Sequence, residues 1–278
     1  MVELLTPRTI RSALRDFSIA PSRALGQNFL ADPNTARRIV QAAGVEPGMR
    51  VLEIGPGIGS LTLALVEAGA TVTAVELDRH VIPVLESVLD GAGVRESVTV
   101  AHGDALDLDF GALLDDGPWA LVANLPYNVA TPVLLRVLDD VPAVERALVM
   151  VQREVAERLA AGPGTKAYGY PSVRVAYYGT ARLAGVVPPT VFIPQPQVDS
   201  ALVAITRHAT PPVTADPARL FALAKAGFGQ RRKMLRRALR SELGDATDAV
   251  LERAGVAPNA RAEQLGLEEW AAIAEATQ

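Results

Sequence analysis

Between residues 50 and 151, short apolar segments alternate with stretches at helical spacing, and this alternation constrains the fold more than any other feature. Residues 50–54 (RVLEI), 71–75 (TVTAV), 98–101 (VTVA), 119–123 (WALVA) and 146–151 (RALVMV) read as buried strands. Residues 60–68, 81–89 and 132–138 carry apolar side chains three and four apart and read as the helices between them. Such a succession closes into a doubly wound, mostly parallel α/β sheet.

After residue 151 the pattern changes. Residues 181–187 and 198–206 read as two strands joined by the proline-rich loop 188–196, an antiparallel pair suited to closing the sheet. Residues 208–217, rich in Pro and Thr, read as a linker. Beyond it, residues 219–228, 231–243, 246–254 and 267–276 all have helical periodicity. Two domains are expected, an α/β domain over 1–207 and a smaller all-helical domain over 208–278.

Hydrophobic residues make up 49% of the 278 and charged residues 21%, which supports a sizeable core and argues against disorder. Cysteine is absent, which excludes disulfides, thiolate metal sites and a cysteine nucleophile and suits a reducing cytoplasm. No apolar run reaches the length of a membrane span, and residues 1–23 read as neither a signal peptide nor an anchor. A cytoplasmic protein with no membrane partner and no metal is expected. The net charge of −4 alone speaks against nucleic acid, but local clusters decide binding. Arg231, Arg232, Lys233, Arg236, Arg237 and Arg240 form one basic run with no acid inside it, and Arg8, Arg11, Arg15 and Arg23 form another. Each is either a solvated face or a phosphate-binding surface. On a continuous helix over 231–243, Arg232, Arg236 and Arg240 would share one stripe, with Lys233 and Arg237 beside it.

Ligands of an open parallel sheet bind beyond the carboxyl ends of its strands. Four such ends are unusual here. The first is Glu53-Ile-Gly55-Pro-Gly57-Ile-Gly59. Its glycines permit a tight turn and close approach of a ligand, but Ser60 stands where a dinucleotide fingerprint wants a third small residue. Glu53 would also repel a pyrophosphate. The second is Glu76, placed to accept both ribose hydroxyls of a nucleoside. The third is Asp104 in Gly103-Asp104-Ala105, placed to read an adenine amine. Any one of these acids could be an exposed loop residue; together they suit a cationic sulfonium ligand.

The fourth end, Asn124-Leu125-Pro126-Tyr127-Asn128, carries most of the specificity. The lone pair of an aromatic amine is delocalised into its ring, so the amine is a poor nucleophile. The Asn124 oxygen and a nearby backbone carbonyl can hold its N–H groups and aim the lone pair at a methyl group. Pro126 fixes the backbone, and Tyr127 can stack on the base, a contact worth ~1–3 kcal/mol. The plain alternative is an ordinary Asn-Pro turn.

With these motifs in this order, the sequence resembles the ribosomal RNA adenine dimethyltransferase family over nearly its whole length. Gly26-Gln27-Asn28-Phe29-Leu30 resembles the family's amino-terminal cofactor motif, and residues 187–200 resemble its late loop. In that loop the family sets an aromatic ring against the target base, and Phe192 matches the position. The resemblance implies a class I, Rossmann-like methyltransferase sheet followed by a helical RNA-recognition domain. It implies S-adenosyl-L-methionine as cofactor, held by Asn28, Leu30, Gly55, Gly57, Glu76, Asp104, Ala105 and Asn124. Asn124, Tyr127 and Phe192 would be catalytic, with the adenosine flipped out and clamped between the two rings. The basic run Arg231–Arg240 would hold RNA.

The implied reaction is N6,N6-dimethylation of two adjacent adenosines in a hairpin near the 3′ end of small-subunit rRNA during ribosome maturation. The implied partner is that rRNA or the pre-30S particle, and the protein is expected to be a monomer. One competing reading is the branch that methylates a large-subunit adenosine and confers macrolide resistance. Another is a non-catalytic ribosome-assembly factor. The Asn-Leu-Pro-Tyr-Asn form, the intact box at Gly26–Leu30, and Phe228–Lys233 with Arg261–Leu265 favour the small-subunit enzyme.

Overall fold

The central apolar segments, 50–54, 71–76 and 119–124, pair side by side and are buried on both faces, as strands covered by helices must be. The computed structural model describes residues 2–22 and 25–277; Arg23 of the amino-terminal basic run lies outside them. The strands are β1 (Phe29–Leu30), β2 (Arg50–Ile54), β3 (Thr71–Glu76), β4 (Val98–His102), β5 (Trp119–Asn124), β6 (Val144–Gln152), β7 (Gly179–Val187), β8 (Phe192–Ile193) and β9 (Ser200–Arg207). Among the described residues, seven form one sheet of order β4-β3-β2-β5-β6-β9-β7, and β1 pairs antiparallel with β8 as a separate ribbon. The five strands β4 to β6 of that order run parallel, as the sequence predicts. The two later strands extend the sheet, β9 antiparallel on β6 with β7 beside it.

The chain steps outward from β2 through β3 to β4, then returns to the other side of β2 with β5 and β6. The strand order therefore reverses between β2 and β5. Their pairing stops at Leu52↔Leu121, whereas β2 stays paired with β3 as far as Ile54↔Val75. The last residues of β2 and β5 thus part from each other, which opens a crevice at the switch point where such sheets bind ligands.

By their internal contacts the residues divide into two compact units, Met1–Ala156 with Arg182–Arg207, and Glu157–Ala181 with His208–Gln278. The chain crosses between them three times, and the linker signal marks only the last crossing. Residues 153–178, to which periodicity assigns no element, fold as the helices Arg153–Leu159 and Tyr170–Tyr178. The second unit has its own core, built around Leu220, Leu223, Leu235, Leu239, Leu251 and Trp270.

One expected element is broken. The helix over 231–243 is replaced by turns at 231–234 and two short helices, Leu235–Ala238 and Arg240–Leu243. The reason lies in the backbone. The Leu235 N–H donates to the Ala260 carbonyl at 2.8 Å and the Arg236 N–H to the Pro258 carbonyl at 3.2 Å, so neither reaches back four residues. The stripe of Arg232, Arg236 and Arg240 at helical spacing does not form.

Candidate active site

The crevice is floored by the turn after β2. Gly55, Gly57 and Gly59 all have positive φ, at 71°, 56° and 94°. At Gly57 a Cβ would stand 2.9 Å from the Phe29 ring, so the turn and the β1 segment can close together only over glycine. The Gly57 N–H donates to the Glu76 carboxylate at 3.0 Å and the Asp78 N–H donates to its other oxygen at 2.9 Å. Glu76, nearly buried at the end of β3, therefore braces the glycine turn and still keeps a lone pair on each oxygen for a ligand hydroxyl. Burial pushes its carboxyl up, against the pull of those two N–H groups.

Beside it, Glu53 is 1% exposed, and its one side-chain hydrogen bond among the described residues comes from the Thr62 hydroxyl at 2.6 Å. Burial pushes its carboxyl up to about 8. Asp104 accepts the Leu106 N–H at 2.8 Å, which folds the loop after β4 into an Asx turn. Arg136 pins that loop by donating to the carbonyls of Ala105 and Leu108.

Asn124 ends β5. Its side-chain Nδ2 donates to the Asn28 carbonyl at 3.2 Å. That bond fixes the orientation of the amide, and its Oδ1, an acceptor, has no partner of its own among the described residues. Asn28 in turn donates from Nδ2 to the Gly26 carbonyl at 3.1 Å. Gln27 ties this segment down: its Nε2 donates to Asp78 at 2.8 Å and its Oε1 accepts the Ser22 N–H at 2.7 Å. The Leu125 N–H donates to the Met150 carbonyl, which holds the Asn-Leu-Pro-Tyr turn to β6.

One cavity is lined by Asn28, Leu30, Gly55, Gly57, Glu76, Asp104, Ala105, Asn124 and Tyr127, so the structure brings these sequence-derived residues together. Phe192 is not among its walls. It is 3% exposed and packs in the core cluster that holds Leu30 and Leu202. The cavity also takes in Glu53, the acid that the sequence sets at the first strand end, and Ser60 and Leu77, which sequence reasoning did not place in it. Leu77 is 48% exposed, an apolar side chain directly after the ribose-type acid and suited to the flat face of a base. Its signal was its position, one residue past a strand-ending carboxylate.

The lining contains three acids, Glu53, Glu76 and Asp104, and no Lys, Arg or His among the described residues. With Glu53 held neutral by burial, Glu76 and Asp104 are the acids that suit a cation-bearing nucleoside and disfavour phosphate. The buried Ser60 hydroxyl has no hydrogen-bond partner among the described residues, an orphan that a bound ligand can satisfy. The residues present therefore fit S-adenosylmethionine.

The six cations of the second unit differ in state. Arg231 pairs with Glu263 at 2.8 Å, Arg240 with Asp245 at 2.9 Å and Arg236 with Asp248 at 4.0 Å. Arg232, Lys233 and Arg237 are exposed and have no acidic partner among the described residues.

The family model for ribosomal RNA adenine dimethylase matches residues 21–278. The ribosomal RNA small subunit methyltransferase A of Leifsonia xyli subsp. xyli is 50% identical over 98% of both chains. The protein of the same name from Thermobifida fusca is 50% identical, covering 98% of this chain and 96% of its own. Among solved structures, the 23S rRNA methyltransferase ErmE superposes with a TM-score of 0.66 at 26% identity, over 90% of this chain and 99% of its own. A dimethyladenosine transferase from Plasmodium falciparum shares the fold, with a TM-score of 0.71 at 22% identity over 88% of this chain and 95% of its own.

Proposed function

The chain belongs to the ribosomal RNA adenine dimethylase family, and on that premise we propose that it N6,N6-dimethylates two adjacent adenosines near the 3′ end of small-subunit rRNA. S-adenosylmethionine supplies a methyl group on a cationic sulfur. The single observation that carries the reading is the fixed amide of Asn124. One of its N–H groups donates to the Asn28 carbonyl, which fixes the amide's orientation and leaves its oxygen to accept an N–H of the target amine. Holding an N–H of the adenine amine localises the nitrogen lone pair. The amine forms the new bond to carbon as sulfur departs, and its acidified proton leaves to water. A second transfer needs the same oxygen to hold the one N–H that remains.

Glu76, Asp104, Leu77 and the glycine turn hold the cofactor, and Tyr127 stacks on the target base. Phe192 forms the opposite wall, which requires the loop between β7 and β9 to turn its ring out of the core when RNA binds. Arg232, Lys233 and Arg237 offer charges free for phosphates, and Arg231, Arg236 and Arg240 join them only by leaving their carboxylates. The protein works as a monomer in the cytoplasm with the small-subunit rRNA as its partner.

The large-subunit alternative is weaker. The small-subunit relatives share half of all residues with this chain across nearly its full length, whereas ErmE shares 26%. A pure assembly factor has no use for the committed Asn124 amide. Mass mapping of modified adenosines in rRNA from cells lacking the gene tests the proposal: two dimethylated adenosines near the 3′ end should become unmodified, and their persistence would sink it.

A further inference from the structure

The Tyr127 hydroxyl lies 2.5 Å from the Ser200 hydroxyl. Stacking alone does not require that bond, since a phenylalanine offers the same face. Ser200 is fully buried as the first residue of β9, opposite Gln152 in the β6–β9 ladder. Its backbone is held firmly, because the adjoining Asp199 carbonyl accepts the Arg153 N–H at 3.0 Å and the ladder runs on to Arg146↔Thr206. Tyr127, by contrast, is half-buried on the turn leaving β5 and forms part of the cavity wall. Among the described residues neither hydroxyl has another partner.

Fixing the oxygen at the far end of a ring prevents it from swinging about χ1. A phenolic O–H prefers the plane of its ring, so a partner in that plane also biases χ2, which is otherwise a broad torsion. The same stretch of chain carries Phe192 and then Ser200, so one segment provides the second aromatic ring and the anchor of the first.

We propose that Ser200 is a positioning residue for methyl transfer, holding the Tyr127 ring at the angle at which a stacked adenine presents its amine to Asn124. The proposal rests on the target-base pocket described above. A stacked base tilted out of line still binds, but its amine misses the in-line geometry, so the loss falls on the chemical step.

The test is single-turnover methyl transfer from labelled S-adenosylmethionine to small-subunit rRNA from cells lacking the gene. It compares wild type, Tyr127→Phe, Ser200→Ala and the double variant. Each single variant should slow transfer roughly tenfold, and the double variant should be no slower than either, because both remove one bond. The RNA concentration giving half-maximal rate and the calorimetric affinity for S-adenosylmethionine should stay unchanged. Tyr127→Phe removes the hydroxyl from the half-buried side, so the test stands even if Ser200→Ala folds poorly. A Tyr127→Phe variant at wild-type rate, or losses that multiply in the double variant, would overturn the positioning role. If wild type itself labels no adenosine, it is the reading of the site that fails.

Discussion

Glu53 is a carboxyl group with no room for a charge. It is buried, bonded to a neutral hydroxyl, and lies beside a second acid, Glu76, which adds to its upward shift. The folded state keeps the neutral form up to about pH 8, whereas the unfolded chain ionises in the ordinary carboxylate range. Raising the pH through that interval therefore favours the unfolded state, by up to about 1.4 kcal/mol per unit. Melting points of the ligand-free protein should fall from about pH 5 to about pH 8 relative to Glu53→Gln, then run level. A difference that does not vary with pH would show that Glu53 is ionised in the fold. Glu76→Gln should weaken S-adenosylmethionine binding by about 1–2 kcal/mol, because a charge that braces Gly57 and Asp78 and meets the ribose becomes a dipole. Unaltered calorimetric affinity would place the ribose elsewhere. Asn124→Ala should abolish transfer while cofactor binding persists, and a near-normal single-turnover rate would refute the amine-holding role. The positions of the acids and of Asn124 were legible in the sequence because each lies at, or within two residues of, the end of an apolar strand. The neutrality of Glu53 was not, since burial by Thr62 and its neighbours is a property of packing.

At the scale of elements, the strands of the parallel sheet were legible in the sequence because apolar runs and the turns after them are local signals, whereas their order in the sheet is set by packing. The β1–β8 ribbon was invisible because two residues have no period. The helix over 231–243 was misjudged because its periodicity is real, with Leu235, Ala238 and Leu239 all buried, yet the carbonyls of Pro258 and Ala260 take its amides. Turns and short helices redistribute the basic residues, and ion pairs sort them further. Exposed pairs are worth little to stability, but a paired arginine must give up its carboxylate before meeting a phosphate. Reversing Arg232 and Arg237 to Glu should flatten the salt dependence of rRNA binding by about one unit of slope per lost contact. Reversing Arg236 and Arg240 should flatten it less. Equal effects in titrations at several salt concentrations would mean that the pairing seen here does not govern RNA contact.

At the scale of the whole molecule, the helical unit has a hydrophobic cluster of its own: the one around Trp270 draws only on residues of the second unit. Trp270 is fully buried, and Gly227 packs so closely on it that a Cβ there would stand 2.5 Å from the indole. The linker at 208–217 was readable as a boundary, but the return of residues 157–181 to the helical unit was not, because only their packing against a distant segment assigns them. Truncating a buried tryptophan to alanine typically costs ~3–5 kcal/mol, much of what a small unit possesses. Trp270→Ala should therefore melt the helical unit first. Its heat capacity trace should show two transitions. At a temperature between them, S-adenosylmethionine should still bind with unit stoichiometry, since every wall of its cavity belongs to the first unit. Binding of small-subunit rRNA should by then be lost, because Arg232, Lys233 and Arg237 lie in the unit that has unfolded. A single transition, with cofactor binding lost in step with helicity, would show that the two cores fold as one cooperative body.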